Sequence, residues 1–335
     1  MEVKMNSGFE VSVVIPVYNA ASFVTQAVES ALAQPEVREV ILVEDCSPDD
    51  SLAVCRQLAG LYPQVKLFQH PGGVNRGAGP SRNLGISNST CPYIAFLDAD
   101  DFYLPGRFAV ARSVFERQSD CDGVYDAVGM YYEDETSRER WHDHSIAGEG
   151  ITTLPLGIDP VDLFTVLIKG GQGHVHLDGL TINRRILEKS NLFTELPGLE
   201  SMHEDTDFIL RLAAVGRLYA GNLTVPNAMR RVHGQNRISA PRSSESIKRD
   251  RVRLRVATYG WLRQNGSPEQ RRLGFRRLLL EWTGVTPKPS NPAKLSALLR
   301  FPFRVPVALL EGQFWVELAR TCWSIIRIDW LKLNE

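Results

Sequence analysis

The sequence predicts an α/β protein built on a doubly wound, mostly parallel sheet with helices on both faces, followed by a C-terminal helical extension. Three observations carry this expectation. Strand and helix patterns alternate four times from Val11 to the helix begun by Pro105, as consecutive βα units do. Each strand is a short apolar, β-branched run bounded by polar turn residues, the signature of strands buried on both faces. Beyond residue 240 the strand patterns stop and arginine-laden helical patterns take over.

Taken in order, Val11-Ser12-Val13-Val14-Ile15 is the first buried strand, and Pro16 is expected to end its ladder because it has no N–H to donate. Pro16-Val17-Tyr18-Asn19 makes a loop, and a helix follows over about 20–34 with Phe23, Ala27, Val28, Ala31 and Leu32 on one face. Val37 to Val43 is the second strand and runs into Glu44-Asp45-Cys46-Ser47-Pro48-Asp49-Asp50, with Ser51 expected to cap a helix over about 52–60. Val65 to Phe68 is the third strand, and the glycine-rich loop Pro71 to Gly79 leads into a helix whose first turn holds Pro80. Tyr93 to Leu97 is the fourth strand, and Asp98, Asp100 and Asp101 follow at its tip. Residues 122 to 135 read as one more strand with an aromatic patch, which serves as core or as a stacking surface. Gly170-Gly171-Gln172-Gly173 is a flexible loop before the strand Leu180-Thr181-Ile182, and Asn183 to Leu187 opens a helix. His203-Glu204-Asp205 begins another, with Phe208, Leu212 and Val215 on its apolar face and its acids where the dipole favours anions.

The chain has 335 residues, 43% of them hydrophobic and 23% charged, enough for a large core. We divide it into two halves of one α/β domain, 1–128 and 129–240, and a basic, amphipathic helical region, 241–335. The net charge of -1 hides an asymmetry: residues 1–240 hold 20 Lys+Arg against 31 Asp+Glu, and residues 241–335 hold 18 against 8. Five cysteines with no Cys-x-x-Cys pair argue against structural zinc and a disulfide framework, and predict a reducing compartment. Met1 to Glu10 has no apolar stretch of a secretory signal, and no uncharged apolar run reaches the roughly 18 residues of a membrane span.

The chemistry concentrates at the strand tips, where open α/β sheets hold their ligands. Asp98 and Asp100 are two apart, so in an extended chain both carboxylates lie on one side and can share a hard cation such as Mn²⁺ or Mg²⁺. Gly77-Ala78-Gly79-Pro80-Ser81-Arg82 starts like a dinucleotide fingerprint but has Arg in place of the last glycine and follows the third strand. That disfavours a Rossmann dehydrogenase, and the absence of Gly-x-x-x-x-Gly-Lys-Ser/Thr disfavours a P-loop ATPase. His142-Asp143-His144 and His174-Val175-His176 lack further ligands at useful spacing and are not read as a second metal site.

Four segments together carry a resemblance: Val11 to Asn19, Ile41 to Ser51, Gly77 to Gly85 and Ala95 to Asp101. Over about residues 9–240 the chain resembles the family 2 glycosyltransferases of the GT-A fold, departing from them where Glu44 and Cys46 stand in place of the more usual Asp and Gly. The resemblance implies an inverting transferase that moves a sugar from a nucleoside diphosphate sugar, most often UDP-linked, to an acceptor hydroxyl. It implies nucleotide contacts at Pro16, Val17, Tyr18 and Asn19, a base contact at Asp45, and Arg82 beside the nucleotide. Asp98, with Ala99, touches the ribose or sugar, Asp100 takes the metal, and Asp205 is the catalytic base. In the basic loop Met229 to Ser239, His233 binds metal or a phosphate oxygen, while Arg230, Arg231 and Arg237 offset diphosphate charge.

Two other classes stand beside this reading. A sugar-nucleotide pyrophosphorylase would need a Gly-rich, Lys/Arg-bearing loop after the first strand, where this chain has Pro16-Val17-Tyr18-Asn19. A non-catalytic binding module would not need the metal acid, base and nucleotide acid together. The expected partners are a nucleotide-sugar donor and a glycan or lipid-linked acceptor, in a surface polysaccharide or glycoconjugate pathway, and not nucleic acid. The expected location is cytoplasmic. Ser246 to Gln264 and Glu269 to Trp282 read as helices, Thr286 to Pro292 as a linker, and Phe301 to Leu333 mixes Phe314, Trp315, Trp323 and Trp330 with arginines. That tail either packs on its own or another subunit or lies peripherally at the inner membrane face.

Overall fold

The computed structural model describes residues 8–144, 151–196, 203–234, 236, 244–284 and 292–333. Contacts divide the chain into two compact units, Met1–Pro241 and Arg242–Glu335. In the first unit the opening elements are β1 (Val11–Val17), α1 (Val24–Leu32), β2 (Val37–Glu44), α2 (Ser51–Leu61), β3 (Val65–Gln69), α3 (Ala78–Asn88) and β4 (Tyr93–Phe96). They continue with β5 (Phe102–Tyr103), α4 (Ala109–Arg117), β6 (Gly123–Tyr125), β7 (Val128–Tyr132), α5 (Glu135–His144), β8 (Ile151–Thr152) and α6 (Leu163–Lys169). The last are β9 (Leu180–Asn183), α7 (Leu187–Ser190), α8 (Glu204–Val215), β10 (Leu218–Ala220) and β11 (Ala228–Val232).

Seven strands form the main sheet in the order β10-β6-β9-β4-β1-β2-β3. β1 pairs in parallel with β2 and β4, β2 with β3, and β6 with β10, while β9 runs antiparallel between β4 and β6. Side-chain alternation along β1 explains the two helical layers. Val11, Val13, Ile15 and Val17 join Val24, Ala27, Val28 and Ala31 of α1 in one core cluster. Val14 points the other way, where α3 comes so close that a Cβ on Gly85 would lie 2.4 Å from Val14 Cγ1.

Pro16 does not end β1, contrary to expectation; it lies in register with Val43, and the strand runs to Val17. The carbonyl of Val14 accepts the Leu97 N–H, so Val14 and, two residues on, Pro16 face β4, which stops at Phe96. The missing N–H thus falls where no strand needs it. Ser51 is not the cap of α2 either: Asp49 Oδ1 accepts from both Ser51 N (3.1 Å) and Ser51 Oγ (2.5 Å).

The strand expected over 122–135 is two strands in two sheets. β6 belongs to the main sheet, and β7 to a four-stranded sheet ordered β5-β11-β7-β8. Between them Asp126 is buried, its carboxylate 3.3 Å from Arg107 Nη1 and accepting from Asn222 N at 2.7 Å. That pinned residue turns the chain from one sheet to the other.

In the second unit, α9 (Ser244–Asn265) and α10 (Pro268–Thr283) are followed by α11 (Pro292–Arg304), a 3-10 turn (Pro306–Leu310) and α12 (Gly312–Leu333). Ser267 and Gln270 form a capping box at the start of α10, with Pro268 in its first turn. Tyr259, Phe275, Leu278, Leu298, Phe301, Val305 and Phe314 close a core of the unit's own. Most of the expected linker, residues 286–291, and the side chains of Trp323 and Trp330 lie outside the described residues. Among those residues no helix is long and apolar enough to cross a membrane.

Candidate active site

The carboxyl ends of β1, β2 and β4 meet the first turns of α3 and α8. Asn19 follows β1 with φ 53°, and its N–H donates to Ser47 Oγ at 3.1 Å. Two further bonds, Ala20 N to Ser51 Oγ (2.9 Å) and Ala21 N to Asp49 Oδ2 (3.0 Å), stitch this loop to the one after β2. Tyr18 is 51% exposed, whereas the Val17 side chain lies in the core, where only its backbone can serve: its carbonyl accepts the Asp45 N–H at 2.9 Å.

Asp45 is buried, and its two oxygens accept the N–H groups of Arg76 (2.8 Å) and Gly77 (2.7 Å). Burial raises its pKa, partly offset by those two bonds. It therefore anchors the glycine-rich loop that precedes α3. Glu44 closes the same turn by accepting from Ser47 N (2.6 Å) and Gln69 Nε2 (2.6 Å). Cys46, where glycine is more usual in the resembling family, has φ 56°, the left-handed conformation that a Cβ disfavours.

The carboxylates after β4 converge through a turn and not along an extended strand. Asp101 N donates to Asp98 O (3.0 Å), and oxygens of Asp98, Asp100 and Asp101 all come within 4.8 Å of one another. Such a set of hard oxygen donors fits a divalent cation. Asp100 Oδ2 lies 3.2 Å from His233 Nε2 and accepts from Asn236 Nδ2 at 3.1 Å. Asn236 Oδ1 in turn takes the His233 N–H at 2.6 Å, and the His233 ring packs on Phe23 with centroids 4.5 Å apart. Ala99 is buried, so its side chain packs in the core.

Arg82 joins three elements. Its buried guanidinium donates to Asp98 Oδ1 at 2.6 Å, lies 3.5 Å from Glu204 Oε1, and sits 5.5 Å from the Phe193 ring centroid. Burial works against its charge, but Asp98 and Glu204 outweigh that and raise its pKa. Next to Glu204, Asp205 accepts from Thr206 N at 2.6 Å in the first turn of α8, which His203 enters at φ 75°. Asp207 is committed elsewhere, to Thr194 Oγ1 (2.7 Å) and Arg211 Nε (3.0 Å).

Beneath these groups lie residues that the motifs do not mark. Asp178 and Asp101 are both buried, and burial together with neighbouring acids raises both pKa values. Asp178 Oδ1 accepts the Asp98 N–H at 3.1 Å. Asp178 N donates to His176 Nδ1 (3.3 Å), which fixes the neutral tautomer carrying its proton on Nε2. Burial lowers the His176 pKa to about 4, in the combined field of Arg230, Asp98 and Asp205. Burial likewise lowers that of His174, which feels Asp205 and Arg230. The His-x-His pair thus neighbours Asp205, and its alternation was its one legible signal.

Arg231 is not free to meet a diphosphate. Its N–H donates to Asp101 Oδ1 (2.7 Å), its Nε to Asp100 O (2.9 Å) and its Nη2 to Gln26 Oε1, amid the rings of Phe23, Phe102 and Tyr131. The side chain is buried on β11, and these bonds brace the acidic turn. Of the aromatic patch, Tyr125 is core and Tyr131 is 43% exposed. Arg237 and the side chains of His142 and His144 lie outside the described residues.

The family model described as Glycosyl transferase family 2 matches residues 12–185. The succinoglycan biosynthesis protein ExoU of Rhizobium meliloti (strain 1021) is 41% identical over 98 residues, 29% of this chain and 28% of that protein. ExoO of the same strain is 31% identical over 210 residues, 62% of this chain and 56% of that protein. Each match thus spans less than two thirds of the relative's own length. Among solved structures, S. aureus TarS 1-349 in complex with UDP-GlcNAc aligns with a TM-score of 0.62 at 16% identity, over 94% of this chain and 89% of that one. The mannosyltransferase PcManGT from Pyrobaculum calidifontis, in complex with GDP-Man and Mn²⁺, aligns at 0.52 and 16% identity, over 96% and 86%. At that identity the likeness shows the fold alone.

Proposed function

The chain belongs to glycosyl transferase family 2 and has the GT-A fold, and from that premise we propose that it is an inverting glycosyltransferase. It moves a sugar from a nucleoside diphosphate donor, UDP-linked, to an acceptor hydroxyl in surface polysaccharide or glycoconjugate synthesis. The supporting observation is the Arg82 bridge: one buried guanidinium bonds Asp98 at 2.6 Å and meets Glu204 at 3.5 Å. It draws the acidic strand tip and the acid pair of α8 into one site.

Asp98, Asp100 and Asp101 would hold Mn²⁺ or Mg²⁺, which supplies charge stabilisation at the leaving diphosphate. His233 and Asn236 orient Asp100 from behind. The Pro16–Asn19 loop and the Asp45-anchored glycine loop receive the nucleoside. Asp205 takes the acceptor's proton as its oxygen bonds to the anomeric carbon and the bond to the diphosphate breaks. A carboxylate is a weak base for an alcohol, so proton transfer runs concertedly with bond formation. One displacement inverts the anomeric centre.

A panel of UDP- and GDP-sugars, read by nucleotide release and by calorimetry, tests the activity and the base together. Asp205→Asn is expected to leave donor affinity near normal and lower turnover by about 10²-fold or more. A variant that keeps most of its turnover removes Asp205 as the base. Since Asp207 is held by Thr194 and Arg211, Glu204 would then be the remaining acid of that turn.

A further inference from the structure

The second unit carries a surface that its own core does not explain. On α11, Leu298 and Phe301 are buried, as is Val305 just after it, while Leu299 (54% exposed) and Phe303 (87%) lie on the opposite face with the exposed Arg300. On α12, Phe314 and Thr321 are buried, and Trp315 (51%) and Val316 (50%) point outward beside Arg320. Leu309, in the 3-10 turn between the helices, is also exposed, and its carbonyl accepts the Trp315 indole N–H at 3.0 Å. An amphipathic helix in a water-soluble unit ordinarily turns polar residues outward. Here both outward faces combine large apolar side chains with arginine.

We propose that this face of α11 and α12 docks on an anionic lipid surface, with Phe303 and Trp315 entering the headgroup boundary and arginines meeting the lipid phosphates. Charge complementarity selects this occupant. Residues 241–335 hold 18 Lys+Arg against 8 Asp+Glu, while residues 1–240 hold 20 against 31. An anionic surface therefore attracts the second unit and repels the first. A second copy bound through the same surface would bring two units of like net charge together, which repulsion opposes. Docking of this kind would hold the transferase where a lipid-linked acceptor is presented; it rests on the proposed activity only in that respect.

The test is co-sedimentation of the full chain with phosphatidylcholine vesicles, with and without phosphatidylglycerol, at low and high salt, beside nucleotide-sugar turnover on the same samples. Binding is expected to the anionic vesicles alone and to weaken as salt rises. The double variant Phe303→Ser, Trp315→Ser should lower vesicle partitioning about tenfold or more. Arg300→Glu, Arg320→Glu should abolish the salt-sensitive part, and both variants should keep solution turnover. Equal binding to neutral vesicles, no binding at low salt, or self-association lost in the Phe303/Trp315 variant would each overturn the proposal. A chain that binds vesicles but turns over no donor would sink the activity and leave the docking surface standing.

Discussion

Asp45 has two backbone N–H groups on its carboxylate, from Arg76 and Gly77. Asp45→Asn puts an amide nitrogen where one of those donors needs an acceptor, and a buried donor left unmatched costs about 1–3 kcal/mol. The cost falls on the loop before α3, so donor affinity should drop about tenfold or more by calorimetry, with turnover at saturating donor changed less. A parallel fall in turnover and affinity would show that Asp45 acts beyond loop and base. Glu39 offers a stability counterpart away from the site. Its buried carboxylate accepts from Ser12 Oγ at 2.6 Å and also from Thr90 and Lys66, tying β1, β2, β3 and the start of β4 together. Burial alone would raise its pKa, but the Lys66 ammonium and the Ser12 and Thr90 bonds outweigh it and hold it at about 2. The folded pKa lies below the unfolded one, so this stabilisation is present above about pH 4.5 and fades as pH falls toward 2. Its size is on the order of 2–3 kcal/mol. Urea midpoints should fall over that window in the native chain, and Glu39→Gln should be weaker at neutral pH with a flatter acid limb.

At the scale of elements, close packing decides what a single methyl does. A Cβ at Gly85 would lie 2.4 Å from Val14 Cγ1 and 3.4 Å from Val43 Cγ2, so Gly85→Ala must push α3 off β1 and β2. A loss of about 1–3 kcal/mol is expected in urea melts, with donor binding weakened through Arg82 on the same helix; unchanged stability would show that the helix shifts freely. The first four strands and their helices were legible because apolar runs and turn residues are local signals. That Ser51 starts α2 without capping it, its hydroxyl bonded to Asp49, was not, since it depends on which side chain the loop turns inward. Nor was the division of residues 123–132 between two sheets, which the buried Asp126–Arg107 pair and the Asn222 N–H impose from distant sequence. The same limit applies at the site. Asp98, Asp100 and Asp205 stand in motifs, whereas Asp178, His176 and Asn236 gain meaning from contacts across the fold. Arg231 shows the reverse error: composition marks it for phosphate, yet its N–H and guanidinium are committed to Asp101, Asp100 and Gln26.

On the scale of the molecule, the site and the tail rest on different cores. Every described residue of the candidate site belongs to the unit Met1–Pro241, whose main cluster joins β1, β2 and α1. The unit Arg242–Glu335 closes instead on Tyr259, Phe275, Leu278, Leu298, Phe301 and Phe314. Phe275 is fully buried there, with its ring centroid 5.2 Å from that of Tyr259 and 6.1 Å from that of Phe301. Phe275→Ala removes those contacts and leaves a cavity, a loss of about 3–5 kcal/mol for a buried phenylalanine. A helical unit of this size has little stability to spare, since whole domains are stable by only about 5–15 kcal/mol. Hydrogen exchange should therefore quicken across α9, α10 and α11, while amides of β1, β2 and β4 keep their protection. Nucleotide-sugar binding in solution should persist, because no residue that would hold the donor has lost a partner. Vesicle binding should fall, since the outward faces of α11 and α12 exist only while their inward faces are packed. Loss of donor binding together with the C-terminal fold would mean that the two units are energetically one, and that the acidic site depends on the basic helices for its shape.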